Sequence, residues 1–154
     1  MEESHTRLLA ETGETALLTL SARVVLSAVL ARDLGRLDEA LAHSEGALRI
    51  AEETFRAPSQ YTEVFRVRYG KILTLLGRYE EAERALLAAR AVLLGLHTAR
   101  GPYTLKATKG LAQLYESWGR DRDAAHWVSV LETSTAAPVE ASARIAPEGA
   151  DEDG

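Results

Sequence analysis

Apolar residues along most of this chain recur every three or four positions, which is the spacing of one face of an α-helix. The apolar segments are separated at regular intervals by Gly-Arg pairs, at Gly35-Arg36, Gly77-Arg78 and Gly119-Arg120. Glycine readily adopts the left-handed conformation that ends a helix, so each pair predicts a turn between two helices. The pattern therefore predicts an all-α fold with helices near residues 16–34, 37–56, 60–76, 79–98, 103–118 and 122–133.

The three Gly-Arg turns are spaced 42 residues apart, and the positions around them repeat with the same period. Small residues fall in register on both sides of the turns, at Ala28, Gly70 and Ala112 and again at Ala40, Ala82 and Ala124. Small side chains allow two helices to approach closely, so their recurrence indicates a repeated packing contact. An internal period of this kind is typical of solenoids, in which each unit packs on the next.

The period divides the chain into five segments. Residues 1–14 are predicted to be the remnant second helix of a partial N-terminal repeat, and repeats follow at 15–56, 57–98 and 99–134. Pro58 and Pro102 are expected at helix starts, because proline at the first helical position loses no needed hydrogen bond. Residues 135–154 are rich in Ala, Pro, Gly and acids, and this composition predicts a disordered acidic tail.

The second copy has the sequence Gly77-Arg78-Tyr79-Glu80-Glu81-Ala82, followed by an amphipathic helix. This pattern resembles the tetratricopeptide repeat (TPR), whose usual unit has about 34 residues. The 42-residue unit is similar to the kinesin-light-chain subtype, and the third copy is similar to the last repeat of many bacterial TPR regulatory proteins and kinases. Ser27 departs from the family, which prefers a large apolar residue there. The resemblance implies a right-handed α-solenoid of antiparallel helix pairs that binds proteins or peptides.

Composition and charge argue against several other classes of protein. The chain has no cysteine, which excludes disulfides and thiolate metal sites and fits a reducing cytoplasm. No apolar run approaches the roughly 18–20 residues of a membrane span, and the polar N-terminus does not resemble a signal peptide. The net charge is −5, of which residues 135–154 carry −4. The remaining chain is nearly neutral, so its overall charge gives no support to nucleic-acid binding.

No motif in the sequence indicates catalysis, a metal or a cofactor, and we predict that the chain is not an enzyme. The four histidines have no second ligand at metal-binding spacing. The acidic pairs Asp38-Glu39 and Glu80-Glu81 each begin a helix, where the helix dipole favours negative charge, and this position explains them better than acid–base catalysis. Trp118 and Trp127 are expected to pack and cap the last repeat, with an exposed anchor for a partner as the alternative.

Lysine is rare in this chain, and its positions indicate a functional surface. The three lysines, Lys71, Lys106 and Lys109, all fall on first helices of the repeat. The TPR resemblance implies that first helices line a concave surface. Register then predicts a partner-binding groove, basic over copies two and three, that contains Val25, Val29, Arg32, Val67, Arg68, Lys71, Lys106, Lys109 and Gln113. Such a groove suits an acidic peptide or the chain's own acidic tail, and the alternative is a solvated helix face.

Three functions are compatible with these features. The first is a non-catalytic module for protein or peptide binding, acting as an adaptor or a regulatory part of a bacterial multiprotein system. The second is a self-assembling scaffold that forms homo-oligomers through the open ends of the solenoid. The third is a small-ligand sensor, which would need an enclosed pocket that so short a solenoid has little room to form.

Overall fold

The computed structural model of the chain describes residues 15, 18–23, 25–32 and 35–136. Residues 18–23 and 25–32 are helical and are called the N-terminal helical stretch below. Five more helices follow, and these ranges contain no strand: α1 (Leu37–Thr54), α2 (Gln60–Leu75), α3 (Tyr79–Leu96), α4 (Pro102–Ser117) and α5 (Asp121–Thr135). The predicted all-α class is confirmed. The predicted N-terminal remnant, and the predicted tail beyond Ala136, lie outside the described residues.

Each helix from α1 to α5 packs against the next one along the chain. In addition, α2 packs against α4, which is the equivalent helix of the following repeat. The N-terminal helical stretch joins the same array, because Leu20 packs with Phe65 of α2 and Leu30 packs with Ile72 of α2. In an α-solenoid, equivalent helices of successive repeats stack on one another, and the second helix of each repeat covers the first. The helix packing of this chain has that arrangement.

The Gly-Arg turns have the predicted backbone conformation. Gly35, Gly77 and Gly119 have φ angles of 60°, 74° and 72°. At the second turn, the Arg78 N–H donates to the Leu73 carbonyl at 2.9 Å and the Gly77 N–H donates to the Thr74 carbonyl at 3.1 Å. These two bonds form a Schellman motif, which satisfies carbonyls that the helix end would otherwise leave unpaired.

The arginine of each turn closes the first turn of the next helix by pairing with an acid three residues later. Arg78 donates to both carboxylate oxygens of Glu81, at 2.8 and 2.7 Å, and these hydrogen bonds lower the pKa of Glu81. Arg36 pairs with both carboxylate oxygens of Glu39 in the same way, and Arg120 donates to one oxygen of Asp123 at 2.8 Å. The acids after each turn are therefore part of the helix start.

The largest core cluster lies between α2, α3, α4 and α5 and contains Leu73, Leu86, Leu93 and Leu111, all fully buried. Leu86 of α3 lies against two glycines. A Cβ atom added at Gly70 would lie 2.7 Å from Leu86 Cγ, and one at Gly110 would lie 3.0 Å from Leu86 Cδ2. The contact at Gly70 leaves no room for a methyl group unless Leu86 shifts, so the small residue predicted at position 70 does mark a close helix approach.

Most predicted helix ends lie within two residues of the observed ones, but the expectation for Pro58 was wrong. Pro102 is the first residue of α4, as predicted. Pro58, in contrast, lies in the loop before α2 and follows a cis peptide bond from Ala57. Ser59 has an extended backbone, with φ −135° and ψ 125°, so α2 begins only at Gln60.

Candidate functional site

The inner helices of the solenoid enclose one large groove. Its cavity has a volume of about 830 Å³ and is bounded by the N-terminal helical stretch, α2 and α4. Six of the nine predicted groove residues line it: Arg32, Arg68, Lys71, Lys106, Lys109 and Gln113. Thr74 and Glu116, which occupy equivalent positions in successive repeats, line it as well. The lining thus contains five cationic side chains and one carboxylate, that of Glu116. We call this cavity the basic groove.

The three valines predicted for the groove do not line it. Val67 is 6% exposed and belongs to the largest core cluster. Val25 and Val29 are 63% and 43% exposed, but they lie outside the cavity lining. Val67 lies on α2, which packs against α1, α3 and α4, and its equivalent in the first repeat is Val25. The same repeat position is therefore buried in one copy and exposed in another.

Lys71 is half-buried where α2 meets α4. A Cβ atom at Gly110 would lie 3.4 Å from Lys71 Cε, so the lysine stem runs directly past the α4 backbone. Burial lowers the pKa of the Lys71 ammonium, and the nearby charges of Arg68, Lys109 and Lys106 lower it further. Burial, followed by the charge of Arg32, lowers the pKa of Arg68 in the same direction. The groove cations are therefore close enough to repel one another.

In the part of the chain that the structure describes, carboxylates pair with several arginines but not with the cations of the groove. Arg66, for example, contacts Glu63 and Glu52, each at 2.8 Å, and so links α2 to α1. Among the described residues, no ion pair involves Arg68, Lys71, Lys106 or Lys109. Lys106 does lie over the ring of Tyr103, with Nζ 5.5 Å from the centroid. Within residues 35–136, the positive charge of these groove residues is therefore not balanced by an ion pair.

The two tryptophans are partly buried and pack against the largest core cluster. The Arg90 guanidinium lies 4.9 Å from the Trp127 ring centroid and donates to Thr108 Oγ1 at 2.9 Å. This contact joins α3, α4 and α5, which agrees with the expected packing role of Trp127. The sequence pattern does not single out Arg90, because its partners come from two later helices.

A second cluster surrounds Trp118. Its ring stacks on Tyr79 and Tyr115, with centroids 5.5 and 6.1 Å apart, and the Arg120 guanidinium lies 4.8 Å from its centroid. The Tyr115 hydroxyl donates to the Glu83 carboxylate. Burial and then this hydrogen bond raise the pKa of Tyr115 to about 12. The cluster therefore links Tyr79 and Glu83 of α3 to the residues at the end of α4.

The described residues contain no group of three or more His, Cys, Asp or Glu side chains that could hold a metal ion. The two acidic pairs considered for catalysis lie at the starts of α1 and α3, outside the basic groove. None of the helices in the described ranges is long and apolar enough to cross a membrane.

The family model of the tetratricopeptide repeat matches residues 61–128, from α2 into α5. This match supports a TPR protein, and together with the helix packing it identifies the fold as an all-α, TPR-type solenoid. TPR domains typically bind proteins or peptides and are not enzymes themselves. Neither the comparison with curated proteins nor the comparison with solved structures gives a match.

Proposed function

We propose that this chain is a non-catalytic binding module whose basic groove holds an acidic peptide or an acidic segment of a partner protein. The observation that carries the proposal is the cavity of about 830 Å³ lined by five cations and a single carboxylate. Complementary charge would speed the encounter with an acidic partner and select against basic ones. A role as an adaptor or regulatory component in the bacterial cytoplasm is part of this proposal, and the absence of cysteine is consistent with it.

The groove offers a ligand more than charge. Ala28, Ala31 and Leu75 provide apolar surface along the lining, and the Gln113 amide can donate and accept hydrogen bonds. Leu75 is 61% exposed and therefore available for contact. A peptide that alternates acidic and apolar residues would satisfy both kinds of surface.

The test is a charge reversal inside the groove compared with an equal reversal outside it. The variant Lys71→Glu/Lys109→Glu changes two groove residues, and Arg49→Glu/Arg122→Glu changes two exposed arginines that do not line the groove. Binding of a fluorescent Glu/Asp-rich peptide is measured by anisotropy at one ionic strength. We expect the groove variant to lose at least about tenfold in affinity, equivalent to about 1.4 kcal/mol.

Helical circular dichroism and thermal melting confirm that both variants fold. Equal losses in the two variants would mean that only the overall charge matters, and unchanged binding by the groove variant would overturn the assignment. Affinity purification with the wild type and the groove variant as paired baits then identifies partners that depend on the groove.

Self-association is the second candidate, because large apolar side chains are exposed on the N-terminal helical stretch. Leu18, Val25 and Leu26 are 72%, 63% and 45% exposed. Light scattering would compare Val29→Glu with Val128→Glu, two sites of similar exposure at 43% and 44%. Self-association through this stretch predicts that only Val29→Glu yields monomers, and a wild type that stays monomeric at high concentration excludes it.

A further inference from the structure

We propose that Arg68, Lys71 and Lys109 form a subsite for a phosphoryl group within the basic groove, so that the preferred ligand is a phosphorylated acidic peptide. This inference deepens the proposed function and depends on it. It specifies the chemical group that the centre of the groove binds most tightly.

The three side chains come from two packed helices and line one cavity. Arg68 and Lys71 are three residues apart on α2, so they project from the same face of that helix. Lys109 belongs to α4 and precedes Gly110, whose backbone passes close to the Lys71 stem. Their charges act on one another, since Arg68 and Lys109 are the two cations with the largest effects on Lys71. The cations therefore converge on a limited volume.

This cluster lacks an internal counter-ion. None of the three forms an ion pair within the described part of the chain. Glu116 is the one carboxylate of the lining, and it lies about two helical turns beyond Lys109 on α4. Arg68 and Lys71 are partly buried, whereas Lys109 is exposed. Partly buried charges are normally paired, because burial removes the water that would otherwise stabilise them. A bound anion would supply the missing partner.

A phosphoryl group matches the cluster better than a carboxylate does. A carboxylate brings one negative charge on two oxygens, whereas a phosphate ester carries about −1.5 to −2 at neutral pH on three strong acceptor oxygens. The Arg68 guanidinium can donate two parallel hydrogen bonds to such a group, and each lysine adds an ammonium as a point charge. Three cations around one position are in excess for a single carboxylate but suit a dianion.

The experiment uses three peptides of identical acidic sequence, with serine, glutamate or phosphoserine at the central position. Dissociation constants are measured by fluorescence anisotropy at fixed ionic strength with the full chain, with Lys71→Met/Lys109→Met and with the control Arg49→Met/Arg122→Met. We expect phosphoserine to bind about tenfold or more tightly than glutamate in the wild type and the control. In the groove variant this preference should disappear. Inorganic phosphate should also displace the phosphopeptide from the wild type more effectively than chloride at equal ionic strength.

The possible failures are distinguishable. Equal affinity for the glutamate and phosphoserine peptides would overturn the phosphoryl subsite while leaving the acidic-peptide groove intact. If the control variant also lost the preference for phosphoserine, that preference would not depend on Arg68, Lys71 and Lys109 in particular. This result would overturn their assignment as the phosphoryl subsite. Failure of all three peptides to bind would contradict the proposed function itself. A single-stranded oligonucleotide that binds more tightly than the phosphopeptide would overturn the choice of ligand. If the groove variant does not fold, the phosphate competition with the wild type decides.

Discussion

Gly77 and Gly95 both have open space where a side chain would lie, so substitutions there act through the backbone conformation without changing the packing. Gly77 has φ 74° and Gly95 lies within α3, and a Cβ atom at either position would meet nothing within 4 Å. Gly77→Ala should therefore lower the free energy of unfolding by about 1–2 kcal/mol, which is the cost of a left-handed residue with a side chain. Gly95→Ala should raise it by up to about 1 kcal/mol, because alanine favours the helix.

Urea denaturation of the two variants measures both changes against the wild type. Opposite signs are the expected outcome. Stabilisation by Gly77→Ala would show that the second turn does not need a left-handed residue, and would contradict the repeat turn as described.

Tyr115 is expected to make stability depend on alkaline pH. Its pKa is raised from 10.0 to about 12, so the folded protein keeps the phenolic proton more tightly than the unfolded chain does. Stability from this group is thus fully present below pH 10 and is lost as pH rises through about 12. Urea denaturation between pH 9 and 12 should show a weaker decline in Tyr115→Phe than in the wild type. Identical declines would contradict the shift at Tyr115.

At the scale of helices, Leu86 couples α3 to both inner helices of the second and third repeats. Leu86→Ala should cost about 2–5 kcal/mol through the cavity it leaves. Gly70→Ala should cost about 1–3 kcal/mol, because its methyl group would collide with Leu86 Cγ. In the double variant the methyl group would enter the space that Leu86 vacates, so the total cost should be clearly below the sum. Additive costs in a denaturant double-mutant cycle would contradict this contact.

The sequence period predicts the helices, the three left-handed turns and the close approach at Gly70, because each follows from residues that recur in register. It does not predict the equivalent approach at Gly110. The register position of Gly110 holds Leu26 and Arg68 in the other copies, so no small residue recurs there. Contacts between different repeats, such as that of Arg90 with Trp127, depend on how the helices stack and are not encoded in a single repeat.

For the whole molecule, register predicts that the cationic and amide side chains of the first helices share one surface with three valines. The cationic and amide side chains line one cavity, whereas the valines do not. The reason is that register states which helix face a residue occupies, not how many neighbours cover that face. Val67 lies among packed helices and is buried, while Lys109, at the equivalent position of the last repeat, remains exposed. The position in the array therefore determines which equivalent residues can reach a ligand.

No carboxylate of the described residues forms an ion pair with Lys71, so its charge is expected to cost the folded protein stability. The pKa of Lys71 is lowered by burial and then by Arg68, Lys109 and Lys106, so the charged ammonium disfavours the folded state. Stability should increase as pH rises from below the folded pKa to above the ordinary value of 10.5. Lys71→Met keeps the unbranched stem beside Gly110 and removes the charge. Its melting temperature should therefore exceed that of the wild type at pH 7, and the difference should vanish above about pH 10.5.

Thermal melts at both pH values measure this difference, and the alkaline effect of Tyr115 cancels because both proteins contain it. The same variant should bind the acidic peptide more weakly. A saturating concentration of peptide should therefore raise the melting temperature of the wild type more than that of the variant, since a ligand that binds only the folded state stabilises it. A Lys71→Met protein that is less stable at pH 7 and still binds normally would mean that the ammonium serves the fold instead of the ligand.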